Sequence, residues 1–276
     1  MPVSRWGLQP VQKYGWASDN RGGRRRRCPA QAENRPGPQT VIAHMDLPAP
    51  IAPALPATFY ALGYGTGIAA FVWMAKRRRM VTECIAILAA VGLIGALLGA
   101  HLAQWLAAGS DGKSVLGGLA GGYVAVGLAK RAMGIVRPTG DLFAVAITAG
   151  EAVGRWGCYF GGCCYGRLSD LPWAVWQHGA YRHPTQIYQS IACAAILLVL
   201  LRLDRKRLPE NALFFTQGVL YCAARFVIEF YRDVSPWALG LSAAQWACLC
   251  GGVFFAVRLS HLVGPSRTTV AEGAAA

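Results

Sequence analysis

The chain has 276 residues, of which 54% are hydrophobic and 14% charged, with a formal net charge of +14. Soluble domains carry about 25% charged residues, so the composition excludes an ordinary soluble enzyme and fits a membrane protein. The positive charge falls in short clusters between apolar runs, the pattern of membrane topology, and no nucleic-acid motif accompanies it, so nucleic acid is excluded as a partner.

Residues 1–44 contain Arg24-Arg25-Arg26-Arg27, several prolines and glycines, and no apolar periodicity. They hold no apolar core of a secretory signal and cannot bury enough surface to fold. The expectation is a disordered basic arm or an over-extended start, since Met45 directly precedes a plausible beginning for a membrane protein.

Seven candidate spans follow, at about Phe59–Ala75, Cys84–Ala107, Val115–Ala129, Leu142–Val153, Ile187–Leu201, Leu213–Tyr231 and Leu239–Val257. Several lie near the lower limit of about 17 residues for crossing a bilayer. The fold class read from them is an all-α polytopic membrane protein, with about seven transmembrane helices around a lipid-accessible cavity. Lys76, Arg77, Arg78, Arg79, Lys130, Arg131, Arg137, Arg202, Arg205, Lys206, Arg207, Arg258 and Arg267 gather on one side; Lys113, Arg155, Arg167, Arg182 and Arg232 fall on the other. The excess marks the first side as cytoplasmic. The membrane domain, residues 45–262, then begins outside and ends inside, with residues 263–276 as a disordered cytoplasmic tail. The Arg24–Arg27 run would sit on the wrong side of this arrangement.

Gly92, Gly95, Gly99, Gly117, Gly118, Gly121 and Gly122 fall at spacings that permit close contact between the second and third spans. Gly117-Gly118 has the alternative reading of an unwound segment facing a cavity. Of nine cysteines, Cys84, Cys193, Cys222, Cys248 and Cys250 sit inside apolar runs as small hydrophobes. Only Cys158, Cys163 and Cys164 cluster, and no paired-cysteine or histidine spacing of a zinc site is present, so no metal or organic cofactor is expected.

Three polar sets fall on the outward side. The first is Gly154-Arg155-Trp156-Gly157-Cys158 through Tyr165-Gly166, whose arginine and glycines suggest an irregular, anion-facing turn. The second is Tyr181-Arg182-His183-Pro184-Thr185-Gln186-Ile187-Tyr188, which opens the fifth span and places Gln186 and Tyr188 in its first turns. The third is Arg225 through Asp233, where Arg225 and Glu229 are i,i+4 and Glu229 and Arg232 are i,i+3. An ion-pair ladder satisfies these charges structurally; the functional reading has Arg155 and Arg225 converge on a phosphate, a task suited to the planar guanidinium.

These sets, in this order, resemble the prolipoprotein diacylglyceryl transferase family over about residues 57–257. The resemblance rests on Gly154-Arg155-Trp156-Gly157 continuing to Tyr165-Gly166, on Arg182 through Tyr188, and on Arg225, Glu229, Phe230 and Arg232. Tyr60 in the first span and Asp170-Leu171-Pro172-Trp173-Ala174 also match it. It implies a multi-pass protein of the bacterial inner membrane that moves diacylglyceryl from phosphatidylglycerol, or another anionic phospholipid, to the lipobox cysteine of a prolipoprotein signal peptide. Arg155, Arg225, His183 and Tyr60 would be the catalytic group. Gly154, Gly157, Gly117, Gly118, Gln186, Tyr188, Glu229 and Arg232 would bind substrate.

The chain also departs from the family pattern. Leu116 stands at a histidine position in Ser114-Val115-Leu116-Gly117-Gly118, and an arginine is replaced near Leu97. Cys158 and Gly161 replace asparagines, Cys163 replaces a glutamate, and Gln189 stands for another. Three readings stay open: the transferase with His183 as proton acceptor, unless His183 caps the fifth span; a paralogue with Cys158, Cys163 or Cys164 as nucleophile or redox pair; and a non-catalytic binder of anionic lipid. A structural disulfide from Cys158 to Cys163 or Cys164 is the further alternative for the thiols.

Overall fold

The computed structural model describes residues 54–108, 114–206 and 208–263. The expected arm over residues 1–44 and the tail from residue 264 onward lie outside them. The helices are α1 (Ala54–Arg77), α2 (Glu83–Ala108), α3 (Val115–Ala132), α4 (Gly140–Phe160), α5 (Thr185–Leu203), α6 (Ala212–Glu229) and α7 (Ala243–Val263). Between α4 and α5 lies a hairpin of β1 (Val175–Gln177) and β2 (Ala180–Arg182), which the all-α expectation lacked. Its turn residues His178 and Gly179 both have positive φ, 52° and 74°, the backbone of a tight hairpin turn that matches strand twist.

Of these helices, α1, α2, α5, α6 and α7 are long and apolar enough to cross a membrane. The sequence reading counted seven. Length and charge lower the count: α3 has 18 residues, too few to leave Lys130 and Arg131 outside its span, and α4 carries Asp141, Glu151 and Arg155.

Glycine shapes two interfaces. Between α2 and α3, a Cβ on Gly99 would lie 2.3 Å from the Gly117 carbonyl oxygen, and one on Gly121 would lie 2.3 Å from that of Gly95. The backbones therefore touch, as the glycine spacing predicts. Gly117 and Gly118 belong to this contact, packed against Gly99, Ala103, Ala96 and Ala100 on regular helix. The alternative of an unwound segment is corrected: Ser114 caps α3 by accepting a hydrogen bond from Gly117 N at 3.3 Å, so the helix starts before these glycines. Between α1 and α4, Gly63 and Gly67 face Gly150 and Gly154 in the same way.

The main apolar core forms at the basic end. Met74, Leu88, Leu142, Val145, Leu200 and Leu213 bury there. Asp204 receives Arg77 at 2.5 Å and Arg78 at 2.7 Å, so part of the basic cluster that reads as a topology signal also ties α1 to α5. Asp141 accepts from Asn211 N and Phe214 N, each at 3.1 Å, and satisfies free donors at the start of α6. Along α2, Ile85, Leu88 and Gly92 are buried; beyond Gly92 no described residue of α2 is.

Two further boundaries moved. The fourth span does not stop at Val153: α4 continues to Phe160, so Gly154, Arg155, Gly157 and Cys158 are helical rather than an irregular turn. Packing against α1 explains why. A Cβ on Gly157 would come within 2.9 Å of the Tyr60 ring and 3.0 Å of the Pro56 carbonyl oxygen, so glycine serves close approach here. The last helix begins at Ala243 rather than Leu239, because Leu239 and Gly240 form a turn with φ of 50° and 72°.

Candidate active site

Helices α4 and α6 run parallel. Their starts meet at Asp141 and Asn211, and their far ends approach where Gly166 bridges Arg232. Midway, the Tyr221 hydroxyl donates to Glu151 Oε1 at 2.9 Å. One helical turn beyond, about 6 Å, Arg155 follows Glu151 on α4 and Arg225 follows Tyr221 on α6. The i,i+4 spacing keeps each arginine on the face that makes the Glu151–Tyr221 contact, and the two guanidinium groups lie within electrostatic reach of each other.

Each arginine is anchored by a carboxylate of its own helix. Arg155 Nε donates to Glu151 Oε1 at 2.9 Å and Nη2 engages the same oxygen. Arg225 Nη2 lies 2.7 Å from Glu229 Oε2. Glu229 also meets Arg232 Nη1 at 3.4 Å and accepts from Ser242 Oγ at 3.0 Å. The expected ladder of Arg225, Glu229 and Arg232 is thus formed, with Glu229 4% exposed at its centre. Among the described residues, Nη1 of both arginines makes no hydrogen bond or ion pair, and Arg232 Nε is buried without a hydrogen-bond partner. A Cβ on Gly154 would meet no atom within 4 Å, so the side of α4 toward which it would point is open even though the Gly154 backbone packs against Gly63.

Past Phe160 the chain turns back. Gly162 and Cys164 adopt positive φ, 64° and 60°, and the Cys158, Cys163 and Cys164 sulfurs all lie within 4.8 Å of one another. All three are free thiols, so the structure contains no disulfide from Cys158. Tyr60 on α1 donates to Cys158 Sγ at 3.5 Å and lies 3.8 Å from Cys163 Sγ. Hydrogen bonds from Cys158 and Cys163, with Arg232 and Arg155 nearby, pull the Cys164 thiol well below its ordinary value. Its bonds with Cys158 and Cys164 push the Cys163 thiol up.

The segment from Arg182 to Tyr188 holds this loop. Gln186 Nε2 donates to the Cys163 carbonyl and Thr185 Oγ1 to the Cys164 carbonyl, both at 2.7 Å. Gln177 donates to the Tyr159 carbonyl at 3.2 Å, and His178 Nε2 sits 2.6 Å from that of Gly162. Arg182 bonds Asp233 at 2.7 Å and the Gly166 carbonyl at 3.1 Å, with its guanidinium 4.7 Å above the Tyr165 ring. His183 does not cap α5 with its side chain: its Nδ1 lies 3.3 Å from the Tyr188 hydroxyl, which also accepts from Trp173 at 2.8 Å. His183 stacks edgewise with Tyr188 and Tyr231, and loss of hydration there holds its imidazole below the ordinary value.

The structure therefore joins Arg155, Arg225, Glu229 and Arg232 on one polar seam and sets Tyr60, Gly157 and the three cysteines beside it. His183 and Tyr188 form a separate aromatic group, and Gly117 and Gly118 belong to the α2–α3 contact. Sequence reasoning missed Glu151 and Tyr221. The i,i+4 spacing of Glu151 to Arg155 was a usable signal for the first; the second has only its i,i+4 spacing to Arg225.

A family model described as prolipoprotein diacylglyceryl transferase matches residues 49–260. The chain is 35% identical over 149 residues to phosphatidylglycerol–prolipoprotein diacylglyceryl transferase 1 of Streptomyces coelicolor, covering 50% of this chain and 43% of that protein. It is 33% identical over 172 residues to phosphatidylglycerol–prolipoprotein diacylglyceryl transferase of Streptomyces griseus, covering 58% and 53%. For the protein of the same description from Aliarcobacter butzleri the identity is 33% over 107 residues, covering 38% and 39%. The chain spans about half the length of the curated relatives it matches. With the family model extending from before α1 into α7, across every helix that builds the seam, the chain belongs to the prolipoprotein diacylglyceryl transferase family.

Proposed function

We propose that the protein transfers diacylglyceryl from phosphatidylglycerol to the cysteine thiol of a prolipoprotein lipobox, in the outer leaflet of a bacterial inner membrane. The observation that carries this reading is the pairing of Arg155 and Arg225 at one level of two parallel helices, each held by its own carboxylate with Nη1 left for an acceptor. In the reaction the acceptor sulfur attacks the glycerol carbon that bears the phosphate ester. The carbon–sulfur bond forms, the carbon–oxygen bond breaks, and glycerol phosphate leaves with the electron pair. Negative charge grows on the departing phosphate, where the preorganised guanidinium groups stabilise it. The thiol proton needs an acceptor, and His183, neutral at physiological pH, is the imidazole in the motif region.

The proposal includes a topology of seven spans, with α3 and α4 crossing beside the five apolar helices, the body entering from outside and ending in the cytoplasm. It includes a cavity open laterally to lipid beside Gly154, where a Cβ would meet nothing. A covalent route through Cys158, Cys163 or Cys164 is disfavoured chemically. Alkylating one of these thiols would give a dialkyl thioether, whose carbon–sulfur bond a second thiol does not displace, so the lipid could not be passed on.

The test is incubation of purified protein with labelled phosphatidylglycerol and a lipobox peptide. Label should move to the peptide, transfer should vanish in Arg155→Ala and Arg225→Ala, and it should survive serine at all three cysteines. Lipid binding without transfer to any lipobox peptide would overturn the transferase reading and leave an anionic-lipid-binding protein.

A further inference from the structure

The three-cysteine cluster has no part in the proposed transfer, yet the fold prepares it with care. Cys158 sits in the last turn of α4, and the chain then reverses through Gly162 and Cys164 so that Cys163 and Cys164 return to the same spot. Cys163 N closes the turn on the Cys158 carbonyl at 3.1 Å. Side chains from three other places pin the loop from outside: Thr185 and Gln186 on α5, His178 in the hairpin turn, and Gln177 on β1. Three thiols that merely pack do not need four polar side chains to hold the backbone that carries them.

We propose that Cys158, Cys163 and Cys164 bind a thiophilic d10 cation, zinc(II) or copper(I), as a trithiolate site. The three sulfurs already lie within 4.8 Å of one another. A tetrahedral zinc with Zn–S of about 2.3 Å sets its sulfurs about 3.8 Å apart, so closure takes an adjustment of about 1 Å by side chains of small reach. Soft thiolate ligands select these ions over harder ones. The Tyr60 oxygen, 3.5 Å and 3.8 Å from two of the sulfurs, is placed as a fourth oxygen donor for zinc or as a hydrogen-bond donor to a thiolate of three-coordinate copper.

Charge favours the same assignment. Three thiolates with zinc(II) carry a net charge of −1, and with copper(I) −2. Arg155 and Arg232 both act on Cys164 electrostatically and offset that charge. All three sulfurs bind as thiolates, so protons compete with the metal and affinity falls at low pH. A disulfide between neighbours Cys163 and Cys164 is poorly suited, since adjacent Cα atoms lie about 3.8 Å apart and disulfides usually want at least about 4.4 Å. The spacing, one cysteine followed after four residues by an adjacent pair, lies outside the usual paired-cysteine zinc patterns, so the sequence alone argued for no metal.

The inference does not rest on the transferase reading, and its readout needs no lipid. Full-length protein in detergent is reduced, loaded with zinc sulfate in one arm and copper(I) in the other, passed over a weak chelating resin and analysed for metal. One equivalent of one ion should remain in the wild type and in Cys84→Ser/Cys250→Ser, which changes exposed cysteines elsewhere. Cys163→Ser should weaken retention by more than the roughly 10–100-fold that loss of a supporting hydrogen bond costs. Maleimide labelling of the wild type keeps the test independent of variant folding: the bound ion should slow modification of Cys158, Cys163 and Cys164 and leave Cys84 and Cys250 unaffected. Absence of retained metal in the wild type, retention unchanged by Cys163→Ser, or a Cys158 disulfide that persists after reduction and loading would each overturn the proposal.

Discussion

Tyr221 on α6 and Arg155 on α4 meet on one oxygen, Glu151 Oε1. That single carboxylate neutralises the arginine and fixes which face of α6 looks at α4. It therefore also decides where Arg225, one turn further along α6, ends up. Glu151→Ala should destabilise the protein by about 3–5 kcal/mol, because it leaves a buried arginine without its counter-charge. The double variant Glu151→Ala/Arg155→Ala should lose much less than the sum of the two single changes. Thermal unfolding of all three in one detergent measures this coupling.

Replacing Arg225 by alanine should lower transfer about 10²–10³-fold, the size expected for losing one preorganised donor to a developing negative charge. Arg225→Lys should not restore it. A lysine ammonium cannot hold Glu229 and present a second planar edge to a phosphate together. Steady-state transfer rates at saturating phosphatidylglycerol separate this loss from weakened lipid binding.

Glycines at two places in the bundle should respond oppositely to a small side chain. Gly99→Val sets a Cβ 2.3 Å from the Gly117 carbonyl oxygen and should cost at least about 1–3 kcal/mol through overpacking. Gly154→Ala adds a methyl group where no atom lies within 4 Å, so the fold should be unaffected. If the open surface beside Gly154 receives the lipid phosphate, that same variant should lose phosphatidylglycerol affinity. Unfolding and lipid binding measured on both variants test the contrast.

His183 supplies a pH dependence. Its imidazole is held below its ordinary value by loss of hydration, so the unfolded chain binds the proton more readily than the folded one. Stability from this group is present above the unfolded pKa of about 6.5 and is lost as pH falls through the lower folded value. Unfolding measured from pH 8 to pH 5 should show declining stability, and His183→Asn should flatten that decline.

Gln186→Ala should free the Cys163 carbonyl and leave the cysteine loop less protected. A single buried hydrogen bond of this kind is worth about 0.5–1.5 kcal/mol, enough to raise local opening while global unfolding changes little. Hydrogen exchange over residues 161–166 should speed up in the variant, with exchange in α1 unchanged.

The helices were legible because apolar runs bounded by basic clusters leave few alternatives, and the Arg225–Glu229–Arg232 ladder because helical spacing alone brings those charges together. The Arg155 stretch was misjudged for a definite reason. Five glycines in thirteen residues read as a turn, whereas Gly157 is there so that the Tyr60 ring can cross the helix. Local composition records the glycine but not the neighbour that requires it. The cysteine loop was equally hidden, since it depends on positive φ at Cys164, a residue type that gives no such signal. Gln186 looked like a lipid ligand from its motif. Its Nε2 donates to the Cys163 carbonyl at 2.7 Å and to Gln177 at 3.2 Å, while its Oε1 is buried with no partner among the described residues.

The pairing of α2 with α3 has a mechanical consequence. The two helices are zipped together by backbone contact, and beyond Gly92 no described residue of α2 is buried, while the buried part of α2 joins the core near Phe143. Such a pair is a lever with its fulcrum at the basic end. From Gly92 to Ala108 is about 24 Å of helix, so a tilt of about 5° at the fulcrum sweeps the tip through about 2 Å. A force applied at that tip would therefore move Ser114 and the start of α3 before it reached the arginine seam.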